Sequence, residues 1–396
     1  MNAEKIKKFV EDNKELAVQF LVDAVRIPSV SGNELEVSKF FQKKFDEMNL
    51  DTEIEALDES RPNLISTWHG KSNGPTFIFN GHYDVFPPVA ADPGIYGPWA
   101  GKIVDGSIYG RGTVDMKGGL CAAVMAVDFL KRLNFEPKGN IVLSCDVDEE
   151  LGGKFGVEYL LSQNLLHADF GICMEPTRSL VQVEGGGGIF LEVTYTSETW
   201  HGGAMKDDMD ALQKGVLAAQ KLYDLDKKIQ KEKYYEPLGG GAMLSITMLN
   251  AGEVMNTHPS QCKFIIDRRL VPGETPEGVQ QEIQEVLDDL KQDYPEMDYE
   301  IEFLSRMPAL HVDENHPLIK AGLNAIEEVT GKKTDVYRRT GGSDNHKIVE
   351  KYGICMPNFG PGKDFEETTS PNEHLEVQEY LDIIKMYMLM VVKLLG

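Results

Sequence analysis

The amino-acid sequence predicts an α/β protein in which a mixed-sheet α/β/α domain is interrupted by an inserted, ferredoxin-like α+β domain. Three observations predict this fold class. The 396 residues exceed what one hydrophobic core usually supports. Strand-like and helix-like segments alternate through the first half, as in a sheet covered by helices on both faces. A glycine run at residues 185–188 then marks a change of pattern, so we expect one domain from residues 1–183 and 305–396 and another from residues 184–304.

The larger predicted domain begins with charged and apolar residues at helical spacing, which predict a helix to about Arg26. Apolar periodicity and strand-length apolar runs predict the rest of this domain. The elements that follow are, in chain order, a helix near 34–48, strands 63–68 and 76–80, helix 117–130, strand 140–146, helix 154–163, strand 169–174 and, after the insertion, helices near 317–329 and 377–395.

The inserted domain shows strand alternation and helical periodicity in a different order. The pattern predicts strand 189–196, helix 207–223, strands 242–249 and 261–269, helix 275–292 and strand 299–304. The order β-α-β-β-α-β is that of a ferredoxin-like sandwich. The glycine run before it contains no G-x-G-x-x-G between a strand and a helix, so we interpret it as a hinge or turn rather than a phosphate-binding loop.

Composition excludes several classes of function. Sixty-four acidic and 40 basic residues give a net charge of -24, which would repel nucleic acid and anionic lipid. No apolar run approaches the roughly 18 to 20 residues that cross a bilayer, and the first residues lack a signal-peptide core. Five scattered cysteines without a C-x-x-C pair indicate reduced, mostly buried thiols. We therefore expect a cytoplasmic protein with no nucleic-acid or membrane partner.

Potential metal ligands follow three predicted strands of the larger domain. The residues concerned are His82 and Asp84 after strand 76–80, Glu149 and Glu150 after strand 140–146, Glu175 after strand 169–174, and Asp115 in a glycine-rich loop before helix 117–130. Ligand sites in open α/β sheets lie outside the carboxyl ends of the strands. These segments should therefore meet at one crevice.

Imidazole and carboxylate are ligands that zinc accepts, and two zinc ions about 3.5–4 Å apart can share one bridging carboxylate. Taken singly, a His-x-Asp or a Glu-Glu pair is most often ordinary surface chemistry. Because these residues all follow strand ends, the pattern favours a metal site.

Seven runs give the sequence a family resemblance. They are FNGHYDVFPP, DGSIYGRGTVDMKGG, DVDEELGGKFG, ADFGICMEP, WHGGAMKDDMDAL, IIDRRLVPGET and NFGPG. The sequence resembles the zinc metallohydrolase family of acetylornithine deacetylase, succinyl-diaminopimelate desuccinylase, aminoacylase and glutamate carboxypeptidase, from about Val25 to the C terminus. The resemblance implies that the larger domain is catalytic and that the inserted domain is a lid and dimerisation domain.

The resemblance also implies roles for individual residues of the larger domain. His82 and Glu175 would bind one metal, Asp115 would bridge, and Glu150 would bind the second metal. Glu149 would be the general base, because a free carboxylate beside metal-activated water can take its proton and pass it to the leaving amine. Asp84 is similar to the family's carboxylate that orients the ligand imidazole, although a turn cap is the ordinary alternative.

Residues of the inserted domain and of a later loop resemble the family's substrate-binding groups. His201 would donate a hydrogen bond to the oxyanion, and Asn256 and Arg269 would bind substrate. A guanidinium matches a carboxylate by two hydrogen bonds, and the backbone N–H groups at Gly341 and Gly342 could receive the same anion. A surface histidine, a surface charge and an ordinary turn are the respective alternatives.

The sequence departs from the family at its C-terminal metal ligand. Thr369 stands where the family has a histidine. His374 or His346 could replace it, although each is more simply a surface histidine, or water could complete the shell. The second site could also bind weakly or hold another metal. We therefore expect one or two Zn²⁺ ions, with Co²⁺ or Mn²⁺ as alternatives.

The function that these residues predict is hydrolysis of the amide bond of a small N-acyl amino acid by metal-activated water, with Glu149 as general base. A dipeptidase or carboxypeptidase would use the same residues and differ in pocket shape. A non-catalytic metal-binding or assembly protein is the alternative from another class, and only Thr369 favours it. The expected partners are a small N-acyl amino acid or dipeptide substrate and a second copy of the chain in a homodimer.

Overall fold

The computed structural model describes residues 1–89, 91–363 and 368–396, which form two compact units. The larger unit comprises Met1–Val183, Val312–Tyr337 and Ser343–Gly396. The smaller unit comprises Glu184–His311 and Arg338–Gly342. The structure thus carries the smaller unit past residue 304, where the predicted insertion ends, because its last long strand continues beyond an irregularity between Phe303 and Ser305 that interrupts the alternation.

Helices in the described residues have the following bounds. They are α1 (Ala3–Asp12), α2 (Lys14–Val25), α3 (Leu35–Glu47), α4 (Lys117–Arg132), α5 (Val157–Ser162), α6 (Ala211–Glu232), α7 (Pro276–Asp293), α8 (Pro317–Thr330), α9 (Asp344–Tyr352) and α10 (Val377–Leu395), with short 3₁₀ turns at Glu149–Leu151 and Glu236–Leu238. Within this part of the chain, no helix combines the length and the apolarity needed to span a bilayer.

Strands in the described residues range from two to ten residues. They are β1 (Asp51–Glu55), β2 (Asn63–Trp68), β3 (Phe77–His82), β4 (Lys102–Val104), β5 (Ser107–Tyr109), β6 (Ile141–Asp146), β7 (Phe170–Pro176), β8 (Gln182–Gly185), β9 (Gly187–Thr196), β10 (Trp200–His201), β11 (Tyr234–Tyr235), β12 (Gly240–Gly241), β13 (Met243–Ala251), β14 (Thr257–His258), β15 (Gln261–Leu270), β16 (Tyr299–Met307), β17 (Leu310–His311), β18 (Tyr337–Arg339), β19 (Asn358–Gly360) and β20 (His374–Glu376).

The larger unit is built on a mixed sheet, which confirms the predicted α/β class. Its strands run in the order β1-β2-β6-β3-β7-β19-β8. The central pairs β6–β3, β3–β7 and β7–β19 are parallel, whereas β1–β2, β2–β6 and β19–β8 are antiparallel. All residues of β3 and β6 are buried, which explains their nearly continuous apolar sequence. The parallel pairing brings the carboxyl ends of β3, β6 and β7 to one edge.

Helix α4 fixes the chain beside that edge. It packs against β3 and β7 on one side and α10 on another. A Cβ atom on Gly119 would lie 2.2 Å from the carbonyl oxygen of Met174, so a residue without a side chain is needed for this close approach. The start of α4 is therefore held against the end of β7, immediately before Glu175.

The smaller unit contains a four-stranded antiparallel sheet in the order β13-β15-β9-β16. Helices α6 and α7 connect its strands, and both pack into its apolar core. This is the ferredoxin-like arrangement that the β-α-β-β-α-β order predicts. A separate two-stranded ladder pairs β10 with β14 in the same unit.

Candidate metal centre

Four acidic or imidazole side chains meet at the carboxyl edge of the larger unit's sheet. His82 ends β3 and lies opposite Asp146 of β6, and Glu175 lies near the end of β7. The Nε2 atom of His82 is 3.3 Å from Asp115 Oδ1, 3.6 Å from Glu175 Oε1 and 3.7 Å from Glu149 Oε2. The parallel strands thus bring together residues that are 93 positions apart in sequence, from 82 to 175.

Three of these residues offer a geometry suited to a metal ion. Ligand atoms of His82, Asp115 and Glu175 all lie within 4.8 Å of one another. His82 is 1% exposed, and its Nε2 makes no hydrogen bond of good geometry to any described residue. The buried imidazole nitrogen has no hydrogen-bond partner in the described part of the chain and faces two carboxylates. One imidazole and two carboxylates are a set of ligands that zinc accepts. The residues present therefore fit a divalent cation.

The electrostatics of the cluster favour a cation as well. Burial raises the pKa of Glu150 to about 9, and the negative charge of Asp115 adds to this effect. Burial also raises the pKa of Glu149 well above its ordinary value, and the opposing influence of His82 is smaller. Several carboxylates in a poorly hydrated space repel one another, which disfavours their ionised forms. A bound cation would attract them all and so offset this repulsion.

The ring of His82 is oriented by Asp84. Its Nδ1 lies 2.9 Å from the main-chain oxygen of Asp84 and 3.5 Å from the Oδ1 of the same residue. An Nδ1–H that donates to Asp84 leaves the lone pair on Nε2, which is the atom that faces the carboxylates. Burial alone would lower the pKa of His82, but the nearby carboxylates of Asp115, Asp84 and Glu175 outweigh it and raise that pKa well above its usual value.

Asp84 also links the imidazole to the segment of Glu149. This fully buried carboxylate accepts a hydrogen bond from Ser31 Oγ at 2.7 Å through Oδ2 and one from the Glu149 main-chain N–H at 3.3 Å through Oδ1. Burial would raise its pKa, but the contacts with His82, Ser31 and Glu149 lower it. Asp84 therefore stays ionised and fixes two neighbours at once.

Glu150 lies beside the three-donor group but outside it. Its Oε1 accepts a hydrogen bond from the main-chain N–H of Phe86 at 3.1 Å. Within residues 1–89, 91–363 and 368–396, the group of His82, Asp115 and Glu175 is the one set of three or more such donors at this spacing.

In residues 368–396, the C-terminal segment supplies no nitrogen ligand at that spacing. Thr369 is exposed, and its main-chain oxygen accepts from Arg111 Nη2 at 3.3 Å. His374 lies in β20, where its ring stacks on Tyr109 with centroids 4.8 Å apart. His346 is buried in the first turn of α9. Among the described residues, neither histidine belongs to the three-donor group.

The predicted substrate-binding residues belong to the smaller unit, and the structure brings two of them together. His201 Nε2 lies 3.4 Å from the side-chain nitrogen of Asn256, and His201 Nδ1 accepts from the main-chain N–H of Gly203 at 3.1 Å. With Nδ1 accepting, the neutral ring carries its proton on Nε2. His201 is exposed, so a ligand can reach this Nε2–H.

Arg269 and the glycine pair lie elsewhere in the smaller unit. The Nε of Arg269 is 2.8 Å from Asp267 Oδ1, and its Nη2 donates to Asp267 Oδ2 at 2.9 Å. Gly341 has a φ of 116°, a left-handed conformation that favours glycine. Gly342 packs against the side chain of Met307.

Two positioning groups were missed by the sequence reasoning. Arg61 pairs with Glu34 and Asp148, which are 27 and 87 residues away in sequence. Glu373 accepts hydrogen bonds from the loop that ends at Asp115. Neither Arg61 nor Glu373 stands in a metal-ligand pattern, and a contact over such separations leaves no trace in local periodicity.

Known proteins resemble this chain in sequence and in fold. The model of the family described as Peptidase family M20/M25/M40 matches residues 78–393. The Escherichia coli K12 protein named "Uncharacterized protein YgeY" is 28% identical over 97% of this chain and 94% of its own length. A Staphylococcus epidermidis protein named "Probable succinyl-diaminopimelate desuccinylase" is 24% identical over 94% of this chain and 97% of its own. The crystal structure of aminopeptidase PepT from Bacillus cereus superposes with a TM-score of 0.74 at 21% identity and covers 96% of this chain and 99% of that one.

Proposed function

The chain belongs to the M20/M25/M40 peptidase family and is therefore a metal-dependent hydrolase of amide bonds, and we propose that its substrate is a small N-acyl amino acid. The relative named as a desuccinylase, whose substrate carries an N-acyl group, supports this choice. A zinc cofactor, a homodimeric state and a cytoplasmic location are further parts of the proposal.

The position of Glu149 is the observation that most supports hydrolysis. Its Oε2 lies 3.7 Å from His82 Nε2, yet the residue is not one of the three donors that lie within 4.8 Å of one another. A carboxylate beside a metal site but outside its ligand set is free to move protons. We propose that Glu149 takes a proton from the attacking water and delivers it to the departing amine.

His82, Asp115 and Glu175 would hold the metal, with Glu150 beside Asp115 as the ligand of a second ion. A divalent ion bound there supplies Lewis acidity to the water and to the scissile carbonyl. Asp84 keeps the His82 imidazole in the tautomer that presents Nε2.

His201 is proposed as the donor to the oxyanion. Its Nδ1 is occupied by the N–H of Gly203, which leaves Nε2–H available for donation. Loss of one such donor typically lowers kcat by about a hundredfold to a thousandfold. We expect this loss in His201→Ala with a smaller change in KM.

Arg269 is proposed to bind the substrate carboxylate, with Asn256, Gly341 and Gly342 as further contacts. Its guanidinium makes a bidentate contact with Asp267, and a substrate carboxylate would bind a guanidinium in the same geometry. A substrate with a free α-carboxylate is therefore favoured over its amide.

A substrate panel with a matched chemical control tests the proposal. Metal-depleted protein is supplied with zinc, cobalt or manganese and assayed on N-acetyl amino acids, N-succinyl amino acids and dipeptides, each with a free and an amidated carboxyl end. We expect turnover of free N-acyl amino acids and a KM at least about tenfold higher for the amides, as a lost charge-assisted hydrogen bond predicts. Turnover of dipeptides alone would contradict the proposed N-acyl amino acid substrate and indicate a dipeptidase. An absence of turnover with every metal would contradict hydrolysis.

One arginine variant and one lysine variant separate carboxylate binding from general effects on the sheet. Arg269→Met should lose the preference for the free carboxylate, because the group that distinguishes the two substrates is gone. Lys263→Met is the matched control, since Lys263 lies on the same strand β15 and forms a half-buried pair with Glu192 at 2.6 Å. An undiminished preference in Arg269→Met would assign the carboxylate to another residue.

A further inference from the structure

Glu373 is a fully enclosed carboxylate whose two oxygens are both occupied by one loop. It is 1% exposed. Its Oε1 accepts from the main-chain N–H groups of Val114 at 2.8 Å and Asp115 at 3.1 Å. Its Oε2 accepts from the N–H of Gly112 at 3.0 Å and from Arg111 Nη1 at 2.7 Å. Four donors from residues 111–115 thus converge on a single side chain.

Such convergence defines the shape of the loop. Main-chain N–H groups that point inward at one anion form a concave site, and the anion here is part of the chain itself. Without the carboxylate, three enclosed N–H groups would lose their partner and the guanidinium of Arg111 would lose its counter-charge. The loop would have to rearrange to satisfy them.

The same loop places Asp115 at the candidate metal centre. Asp115 Oδ1 lies 3.3 Å from His82 Nε2. After Met116, α4 begins at Lys117, and its first turn packs closely on the loop, because a Cβ on Gly118 would lie 2.2 Å from the carbonyl oxygen of Thr113. The helix thus restrains Asp115 from the C-terminal side, and the hydrogen bond from its N–H to Glu373 restrains it from the N-terminal side.

Arg111 extends this restraint to the C-terminal segment. Its guanidinium donates to the main-chain oxygens of Thr368 and Thr369 as well as to Glu373. The segment from 368 to 373 and the loop from 111 to 115 therefore form one hydrogen-bonded body.

We infer that Glu373 is a positioning residue that holds Asp115 in the orientation needed to bind metal, and so sets metal affinity without contacting the metal. This inference rests on the proposed role of Asp115 as a ligand. Partners that orient a ligand typically change metal affinity by about tenfold to a hundredfold when they are removed.

Metal affinity and stability, measured separately, test this role. Zinc affinity is determined by competition with a chelator, and stability by urea unfolding of the metal-free chain. Glu373→Gln replaces one acceptor oxygen by an NH₂ group that faces other donors, and we expect zinc affinity to fall at least about tenfold. Asp128→Asn is the control, because Asp128 is a buried carboxylate of α4 that pairs with Lys44 at 2.8 Å. It should lower stability and leave zinc affinity unchanged.

The outcomes separate this inference from the proposed function. Wild-type zinc affinity in a folded Glu373→Gln variant overturns the inference, as does an equal loss of affinity in Asp128→Asn. Where Glu373→Gln does not fold, Glu373→Asp is used instead, because it keeps the charge but shortens the side chain. A zinc affinity between those of wild type and Asp115→Ala would support the positioning role. Wild-type zinc affinity in Glu373→Asp would overturn it. Unchanged zinc affinity in Asp115→Ala would instead refute the proposed ligand set.

Discussion

Replacement of Arg61 by methionine probes the network that holds the turn before Glu149. Arg61 is 8% exposed. Its Nη2 lies 2.6 Å from Glu34 Oε1 and 2.7 Å from Asp148 Oδ1, and its Nε donates to Glu34 Oε2 at 3.0 Å. Asp148 adopts a left-handed conformation with a φ of 71°, which is uncommon for a residue other than glycine. The arginine thus holds a strained residue directly before the proposed general base.

The magnitude follows from what methionine would leave behind. Arg61→Met keeps much of the side-chain volume but leaves the buried carboxylates of Glu34 and Asp148 without their counter-charge. Removal of one partner from a buried ion pair costs about 3–5 kcal/mol. Displacement of Glu149 by about 1 Å would add a loss in kcat of about a hundredfold.

Urea unfolding and steady-state kinetics measure the two effects. Arg26→Met is the matched control, since Arg26 is 53% exposed and its Nη1 lies 3.7 Å from Asp23 Oδ1. An exposed pair of this kind contributes less than about 1 kcal/mol. If Arg61→Met lost no more free energy of unfolding than Arg26→Met and kept its kcat, the reasoning on this network would be refuted.

Further predictions concern metal stoichiometry and pH. Metal titration should give one tight equivalent and a second at least about tenfold weaker, and Thr369→His should tighten the second because imidazole is a better zinc ligand than a hydroxyl; two equal equivalents in wild type would contradict this. Asp115→Ala should lose metal content, measured by elemental analysis. In the smaller unit, burial would raise the pKa of Glu274, but Arg268 and Lys233 lower this pKa below the ordinary 4.5. The ionised carboxylate therefore stabilises the fold above pH 4.5, and this stabilisation disappears as the pH falls through the lowered pKa. The difference in urea midpoint between wild type and Glu274→Gln should therefore shrink below about pH 4.5 and not above it.

Elements with clear apolar periodicity were predicted closely from the sequence. Strand β2, of six residues, and the long apolar helix α10 have the predicted bounds. Helix α9 was not predicted, because its nine residues DNHKIVEKY are mostly polar. Helix α6 begins at Ala211, after the capping box at Asp210, rather than at the predicted 207. It continues nine residues past the predicted end at 223, because Leu225 and Ile229 extend its buried face through a mostly charged segment.

The grouping of the candidate metal ligands was predictable to the extent that these residues follow strand ends. The parallel pairing of β3 with β6 and β7 is a property of the fold class, so His82 and Glu175 could be placed together in advance. The contacts of Arg61 and Glu373 depend on how distant loops pack, and a single sequence carries no periodic signal for that. Sequence reasoning therefore found the chemical groups and Asp84, which orients one of them, and missed Arg61 and Glu373.

The most direct test of the account is the metal content and turnover of Glu149→Gln, measured on the same preparation. Glutamine keeps the size of the side chain but cannot accept the proton of the attacking water. The account predicts wild-type metal content together with a loss in kcat of at least about a hundredfold, because Glu149 moves protons and does not bind the metal. Loss of metal from this variant, or wild-type turnover with metal retained, would contradict it.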